Sequence, residues 1–142
     1  MADITSIMTA SPASCRPDTP LRQVAQLMVD NDCGLIPVVD QDNKPVGTVT
    51  DRDIATRVVA SGRDAASASA ADAMSEPCTT VAAGSSVQDA ARAMEGARVR
   101  RVPVVDGDGR LAGIVAIADL VKAGKDEATA QVVREVSEPS RR

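Results

Sequence analysis

Apolar residues in the first half of the chain follow a helical spacing and then an extended one. Four of them recur at the i, i+3, i+4 and i+7 spacing of a single helix face: Leu21, Val24, Ala25 and Met28. This spacing predicts an amphipathic helix over about residues 19–32, and Pro20 suits its first turn. The runs at 35–39 and 45–50 then predict two strands.

Shorter elements flank this pattern. A short helix is predicted to end near Met8, and a brief strand is predicted around Ser14–Cys15. A second helix is predicted to start after Thr50 and to end near Gly62. The order of elements is therefore β-α-β-β-α.

The same pattern occurs twice in the chain. The segment IPVVDQDNKPVGTVTDRDI (36–54) aligns without a gap with VPVVDGDGRLAGIVAIADL (102–120), and Asp53 aligns with Asp119, 66 positions later. The apolar helix face recurs at the same offset, at Val87, Ala90, Ala91 and Met94. The chain is therefore a tandem duplication.

The duplication predicts an α/β (α+β) fold made of two repeats. We expect the first repeat over 3–60, a linker over 61–70 and the second repeat over 71–124. Residues 125–142 are predicted to form a short helix and a loose tail. Because one copy has too little apolar surface to be stable alone, we expect the repeats to pack through their sheets about a pseudo-twofold axis.

Composition excludes several kinds of chemistry. The chain contains no His, Trp, Tyr or Phe, which excludes a histidine metal ligand, a histidine general base and a His-containing triad. It also removes the aromatic platform on which single-stranded nucleic acid stacks. The sequence lacks phosphate-binding and nucleophile motifs, and DGDGR (106–110) has Ile117 where a calcium loop requires Glu. We therefore predict no catalytic residue, no metal and no cofactor.

The net charge, the cysteines and the N-terminal sequence limit the partners and the location that we expect. The net charge of −4 gives no broad attraction to nucleic acid or to an anionic membrane. Cys15, Cys33 and Cys78 are odd in number and widely spaced, as expected for small buried residues in a reducing compartment. The sequence shows neither a signal peptide nor an apolar stretch of about 20 residues. The expected location is cytoplasmic.

Thr50-x-x-Asp53 has two interpretations. As a capping box it starts a helix, with an expected stabilisation of about 1 kcal/mol. As a binding site, Asp53 accepts hydrogen bonds from ribose hydroxyls, while the Thr50 hydroxyl and free helix amides face phosphate. In the second copy Ala116 replaces the threonine but Asp119 remains, which weakens a purely capping role.

Three arginines are also open to two interpretations. Arg100 and Arg101 enter an otherwise apolar strand in VRRVPVV (99–105), either to deter aggregation at a sheet edge or to clamp phosphate. Arg52 lies in the first turn of a predicted helix, where it is either solvated or facing an anion.

Each copy contains the motifs h-P-V-V and G-h-V-x-x-x-D-h, where h is an apolar residue or threonine and x is any residue. The two copies resemble a pair of cystathionine-β-synthase-type (CBS) domains, known as a Bateman module. The resemblance covers residues 3–124, and the TDRDI and VRRVPVV segments resemble small stand-alone bacterial members. It implies clefts between the repeats that bind AMP, ADP, ATP, S-adenosylmethionine or NADH. By motif position it assigns the ribose to Asp53, phosphate to Thr50 and the adenine pocket to Ile36 and Pro37.

The resemblance also implies that the two clefts differ. In the family, residues just before the second h-P-V reach phosphate in the first repeat's cleft, which assigns Arg100 and Arg101 to the Asp53 site. Asp119 marks the second cleft, where Ala116 lacks a hydroxyl and Gly34–Leu35 provide no basic group. We therefore predict one competent site at Asp53 and a second that is weak or empty.

These features predict a non-catalytic regulatory module that binds an adenosine-containing nucleotide and signals to a separately encoded protein. The resemblance implies a homodimer. The alternative is a ligand-free dimerising scaffold in which Asp53 serves only as a helix cap. Neither nucleic acid nor a membrane is an expected partner.

Overall fold

The computed structural model describes residues 3–123. The elements of its first half are a 3-10 turn Ile4–Ser6, β1 Thr9–Ala10, α1 Leu21–Asn31, β2 Leu35–Val39, β3 Pro45–Thr50, α2 Asp51–Ile54, a π-helix Ala55–Val59 and α3 Ala70–Ala73. Those of its second half are β4 Val81–Ala82, α4 Val87–Ala97, β5 Arg101–Val105, β6 Leu111–Ala116 and α5 Ile117–Ala123.

The main predicted elements are confirmed. The strands over 35–39 and 45–50 and the helix start after Thr50 agree with the prediction. The helix ending near Met8 is a 3-10 turn, and the strand around Ser14–Cys15 is reduced to a single bridge between Cys15 and Val38. The C-terminal helix predicted over 125–142 lies outside the described residues.

The chain forms two compact units that do not coincide with its two repeats. The first unit is Ala13–Cys78, and the second combines the chain before Ala13 with the chain from Thr79 onward. The short segment at the start of each repeat therefore packs on the sheet of the other repeat. Residues 3–10 belong to the second unit, and residues 69–75 belong to the first.

Each unit has the same strand arrangement. In the second unit the order is β1-β6-β5-β4, with β4 parallel to β5 and the other pairs antiparallel. In the first unit β2 and β3 are antiparallel. They are flanked by a parallel bridge Cys15–Val38 and an antiparallel bridge Thr48–Ser75. Thr48–Ser75 is the counterpart of the pair Ile114–Thr9.

Each unit has its own apolar core, and the helical stripes predicted from the sequence supply one side of each. Alternate residues of the strands supply the other side, because successive strand side chains point to opposite faces. The first core contains Leu21, Val24, Met28, Ile36, Val38, Val49 and Val58. The second contains Ile4, Ala90, Ala91, Met94, Val102, Val104, Val115 and Leu120. Within residues 3–123, no helix is long and apolar enough to cross a membrane.

Gly47 and Gly113, the repeated glycines, are required by the close approach of residues 69–75 and 3–10, which we call the exchanged segments. A Cβ on Gly47 would lie 2.8 Å from the carbonyl oxygen of Ser75, and one on Gly113 would lie 2.9 Å from that of Thr9. Both contacts are to backbone, which cannot move away as a flexible side chain can. The glycine therefore lets the exchanged segment lie against β3 in one unit and β6 in the other.

Two of the three cysteines, Cys15 and Cys78, are unreactive at neutral pH. None of the three forms a disulfide in the described part of the chain, where Cys15 is buried and Cys33 and Cys78 are half-buried. Burial raises the pKa of Cys15 to about 11 and that of Cys78 to about 11. Because the thiolate is the reactive form, both side chains stay protonated at neutral pH. This agrees with a packing role.

We predict that Gly47→Ala destabilises the protein, because the new methyl group must displace the backbone of Ser75. The expected loss is about 1–3 kcal/mol, the usual cost of overpacking. Urea unfolding measures it. Gly96→Ala is the matched control, since Gly96 lies in α4 with nothing within 4 Å of the added Cβ, and we expect a gain of about 0.5–1 kcal/mol there. A Gly47→Ala protein as stable as wild type would contradict the close approach of the exchanged segment.

Candidate functional site

The site predicted around Thr50 and Asp53 lies where β3 ends and α2 begins. Thr50 is the last residue of β3, where it pairs with Leu35, and it is also the N-cap of α2. The Asp51 amide donates to the Gly34 carbonyl at 3.0 Å, which continues the contact between neighbouring chain segments beyond the strand. The position of the helix start is therefore fixed by the sheet.

Thr50 and Asp53 form a complete capping box. The Asp53 amide donates to Thr50 Oγ1 at 3.0 Å, and the Thr50 amide donates to Asp53 Oδ2 at 2.9 Å. Asp53 is 9% exposed and is the one buried charged residue in the described part of the chain. The capping interpretation is thus correct as far as it goes, and it uses only one of the two carboxylate oxygens.

The second carboxylate oxygen, Oδ1, has looser partners. The Ser75 hydroxyl donates to it at 3.5 Å, and Arg57 Nη2 lies 3.9 Å away. Arg57 Nη1 also donates to the carbonyl oxygens of Ala73 and Met74, both at 2.9 Å. Since each carboxylate oxygen has about two acceptor positions, Oδ1 keeps capacity for a further donor.

The expectation that free helix amides face a phosphate is wrong. The Asp51 amide is bonded to Gly34, the Arg52 amide to Asp51 Oδ1 at 2.8 Å, and the Asp53 amide to Thr50. The side chains remain as donors. Thr50 Oγ1 accepts a hydrogen bond, which leaves its hydroxyl proton able to donate. Arg52 is exposed.

The helix start at Ala116 in the second unit has only one of the two hydrogen bonds of a capping box. The Ala116 amide donates to Asp119 Oδ2 at 2.8 Å, but Ala116 has no hydroxyl to accept from Asp119 in return. Asp119 is half-buried. The position equivalent to Arg57 is Ala123, so the guanidinium beside Asp53 has no counterpart at that position.

Ile36 and Pro37, predicted to line an adenine pocket, lie on β2 beside β3. Ile36 pairs with Val49 and Pro37 with Thr48. The Ile36 side chain is fully buried in the core of the first unit, which leaves its backbone for contact with a ligand. Pro37 is also buried, and its carbonyl accepts from the Cys15 amide at 3.0 Å.

Arg100 and Arg101 lie in the second unit, at the positions that correspond to Gly34 and Leu35 of the first. Arg101 is the first residue of β5, half-buried and paired with Ala116. Arg100 is exposed, and its carbonyl accepts from the Ile117 amide at 2.8 Å. Both arginines thus belong to the unit that contains Asp119. Their assignment to the Asp53 site stays a prediction.

Two residues at the site were not predicted from the sequence. Arg57 follows Asp53 by four positions, a spacing at which opposite charges meet on a helix, so the signal was available. Ser75 had no local signal, because only the exchange of segments brings it to Asp53. Among residues 3–123, no group of three or more Cys, Asp or Glu is arranged to hold a metal ion.

Comparison with known proteins identifies the family. The CBS domain model matches residues 3–60 and 70–126. The chain therefore belongs to the CBS domain family and carries two CBS domains in tandem.

Two of the relatives in sequence are matched over most of their length. Hypoxic response protein 1 of Mycobacterium tuberculosis is 33% identical over 139 residues, covering 98% of this chain and 96% of that protein. YhcV of Bacillus subtilis, a CBS domain-containing protein, is 37% identical over 120 residues, covering 84% of each chain. In both relatives the CBS pair accounts for most of the protein.

Other relatives are matched over a part only. An uncharacterized protein of Methanopyrus kandleri is 33% identical over 100 residues, which span 51% of its length. Inosine-5'-monophosphate dehydrogenase of M. tuberculosis is 36% identical over 116 residues, which span 21% of that enzyme.

Solved structures agree with the fold. Hypoxic response protein 1 with two coordinated zinc ions has a TM-score of 0.79 and 34% identity, covering 85% of this chain and 98% of that one. CBSX2 of Arabidopsis thaliana in complex with AMP has a TM-score of 0.74 and 26% identity, covering 87% and 96%. The CBS pair of MJ0100, in complex with 5'-methylthioadenosine and S-adenosylmethionine, has a TM-score of 0.77 at 24% identity, covering 87% and 95%.

We predict that a hydroxyl at the N-cap stabilises both helix starts, so that removing it from one and adding it to the other change stability in opposite directions. Thr50→Val removes the cap hydroxyl at nearly constant shape, with an expected loss of about 0.5–2 kcal/mol. Ala116→Thr supplies the missing hydroxyl for the Asp119 amide, and we expect a gain of up to about 1 kcal/mol. Urea unfolding measures both. Ala116→Val is the matched control without a hydroxyl, and a gain equal to that of Ala116→Thr would show that packing, not capping, is responsible.

Proposed function

We propose that this chain is a non-catalytic regulatory module that binds an adenosine-containing nucleotide at Asp53 and signals to a separately encoded protein. The observation that carries the proposal is the Asp53 carboxylate, which is 9% exposed and keeps acceptor capacity on Oδ1 beside the Thr50 hydroxyl. The complexes of CBSX2 with AMP and of MJ0100 with S-adenosylmethionine support it.

Each side chain of the site has a role in the proposal. Asp53 Oδ1 accepts from the ribose hydroxyls, which are donors that a buried carboxylate binds well. The Thr50 hydroxyl and the Arg52 guanidinium donate to phosphate. The backbone of Ile36 and Pro37 borders the adenine, since the Ile36 side chain is committed to the core.

Arg100 and Arg101 are proposed as further phosphate ligands of this nucleotide. Guanidinium groups match phosphate oxygens in charge and geometry. The support for this assignment is the family's motif order.

The expected affinity is modest. Charge-assisted hydrogen bonds contribute about 1.5–3 kcal/mol each. The chain has no aromatic ring to stack on adenine. A few such bonds with limited apolar burial give a dissociation constant near micromolar, equivalent to about 8 kcal/mol.

The second site, at Asp119, is proposed to be weak or empty. Ala116 has no hydroxyl to donate to phosphate, and Ala123 stands in place of Arg57. We therefore expect one nucleotide per chain.

A second candidate function is a ligand-free dimerising scaffold. The observation that favours it is the complete capping box, since the hydrogen bonds of Asp53 then have a structural purpose without any ligand. The homodimer, the partner protein and the cytoplasmic location stay predictions under either function.

The first test is calorimetric titration of the wild type and of Asp53→Asn with AMP, ATP and S-adenosylmethionine. Asparagine can still accept the Thr50 hydrogen bond but carries no charge. We expect affinity to fall about 10–100-fold, the equivalent of one charge-assisted bond.

Asp89→Asn is the matched control. Asp89 forms the same kind of capping box with Ser86 at the start of α4, so its substitution alters a cap without touching the proposed ligand. We expect wild-type affinity for that variant. Wild-type protein that gives no binding heat at high concentration, with all three ligands, would favour the scaffold function.

A separate prediction concerns Arg101. We expect Arg101→Ala to weaken ATP about 10-fold or more, because a charge-assisted bond to phosphate is lost. Calorimetry should show a much smaller effect on adenosine, which has no phosphate. Arg110→Ala, in the exposed turn between β5 and β6, is the control. Equal losses for ATP and adenosine would contradict a phosphate contact.

A further inference from the structure

Arg57 lies between two features of the first unit that are distant from each other in sequence, Asp53 and the segment Ala73–Met74. Its Nη1 donates to the carbonyl oxygens of Ala73 and Met74, while its Nη2 faces Asp53 Oδ1. The next residue of that segment, Ser75, donates its hydroxyl to the same Oδ1 at 3.5 Å. One guanidinium is therefore hydrogen-bonded to the segment Ala73–Ser75, which we call the crossing segment, and lies 3.9 Å from the carboxylate oxygen that this segment also contacts.

The crossing segment is also tied to β3. The Ser75 amide donates to the Thr48 carbonyl at 2.8 Å, and the Thr48 amide donates to the Ser75 carbonyl at 3.1 Å. Ser75 lies shortly before Cys78, where the first unit ends and the chain continues into the second. Asp53 Oδ1 is thus in contact with a residue that lies close to the end of the first unit.

The backbone around Arg57 is unusual. Arg57 lies in the π-helix Ala55–Val59, in which the Ala60 amide bonds to the Ala55 carbonyl at 2.9 Å. Such wide turns are rare and are often found at functional sites. In the second unit the position equivalent to Arg57 is Ala123, which carries no guanidinium.

We propose that Arg57 is a positioning residue that couples Asp53 to the segment Ala73–Ser75. Arg57 acts through the carboxylate and does not touch the nucleotide itself. A ribose hydroxyl arriving at Oδ1 becomes a further donor to the oxygen that Ser75 already contacts, and occupancy of the site thereby changes the contacts of the segment Ala73–Ser75. The ligand half of this inference rests on the proposed function, whereas the coupling exists without ligand.

The ligand-free coupling is tested by amide hydrogen exchange in Arg57→Gln. We expect the Ser75 and Thr48 amides to exchange at least about fivefold faster, because local opening of the segment becomes easier. Arg63→Gln is a closely matched control. Arg63 is 48% exposed against 47% for Arg57, and it pairs with Asp72 of α3 at 3.2 Å without contacting Asp53. Unchanged exchange in Arg57→Gln, or equal acceleration in both variants, would overturn the coupling.

The ligand half is tested by a double-mutant cycle on nucleotide affinity. If Arg57 acts through the carboxylate, Arg57→Gln weakens AMP about 10-fold in the wild-type background and has little further effect in Asp53→Asn. An equal loss in both backgrounds would show that Arg57 contacts the nucleotide directly and would overturn the positioning role. Wild-type protein that binds no nucleotide would refute the proposed function, and the hydrogen-exchange result would then decide the coupling alone.

Discussion

The structure depends on one kind of backbone contact, in which the segment at the start of each repeat lies against the last strand of the other repeat. Thr48 meets Ser75 in the first unit, and Ile114 meets Thr9 in the second. Each contact covers the outer edge of β3 or β6 with a short segment. It is also the reason that β3 and β6 carry a glycine, since a side chain there would occupy the space of the crossing backbone.

The same contact determines the surroundings of Asp53. A capping carboxylate at an exposed helix start is ordinarily solvated, and its cap contributes about 1 kcal/mol. Here the crossing segment covers the helix start, adds the Ser75 hydroxyl and supplies the two carbonyls that anchor Arg57. Capping and ligand binding are therefore compatible uses of one side chain, because Oδ2 serves the helix and Oδ1 faces the crossing segment.

Local patterns in the sequence predicted local structure well. The strands at 35–39 and 45–50 and the capping box were predictable, because spacing and cap residues report on neighbours along the chain. Periodicity cannot report which sheet a short segment joins, so the exchange of segments went unseen. The expectation of free amides failed because one partner is remote in sequence. The Gly34 carbonyl that accepts from the Asp51 amide lies in the connection between α1 and β2.

The exchange of segments imposes an order on folding during synthesis. The first unit is continuous, Ala13–Cys78, and its parts are complete once that stretch has left the ribosome. The segment that contains Thr9 is made before the first unit, yet Thr9 pairs with Ile114, which is made more than 100 positions later. Until β6 emerges, Ile4 lacks the apolar surface that buries it in the second unit, and Met8 lacks the surface against which it packs. A contact this distant in sequence is slow to close, so Ile4 is made early and is among the last core residues to be buried.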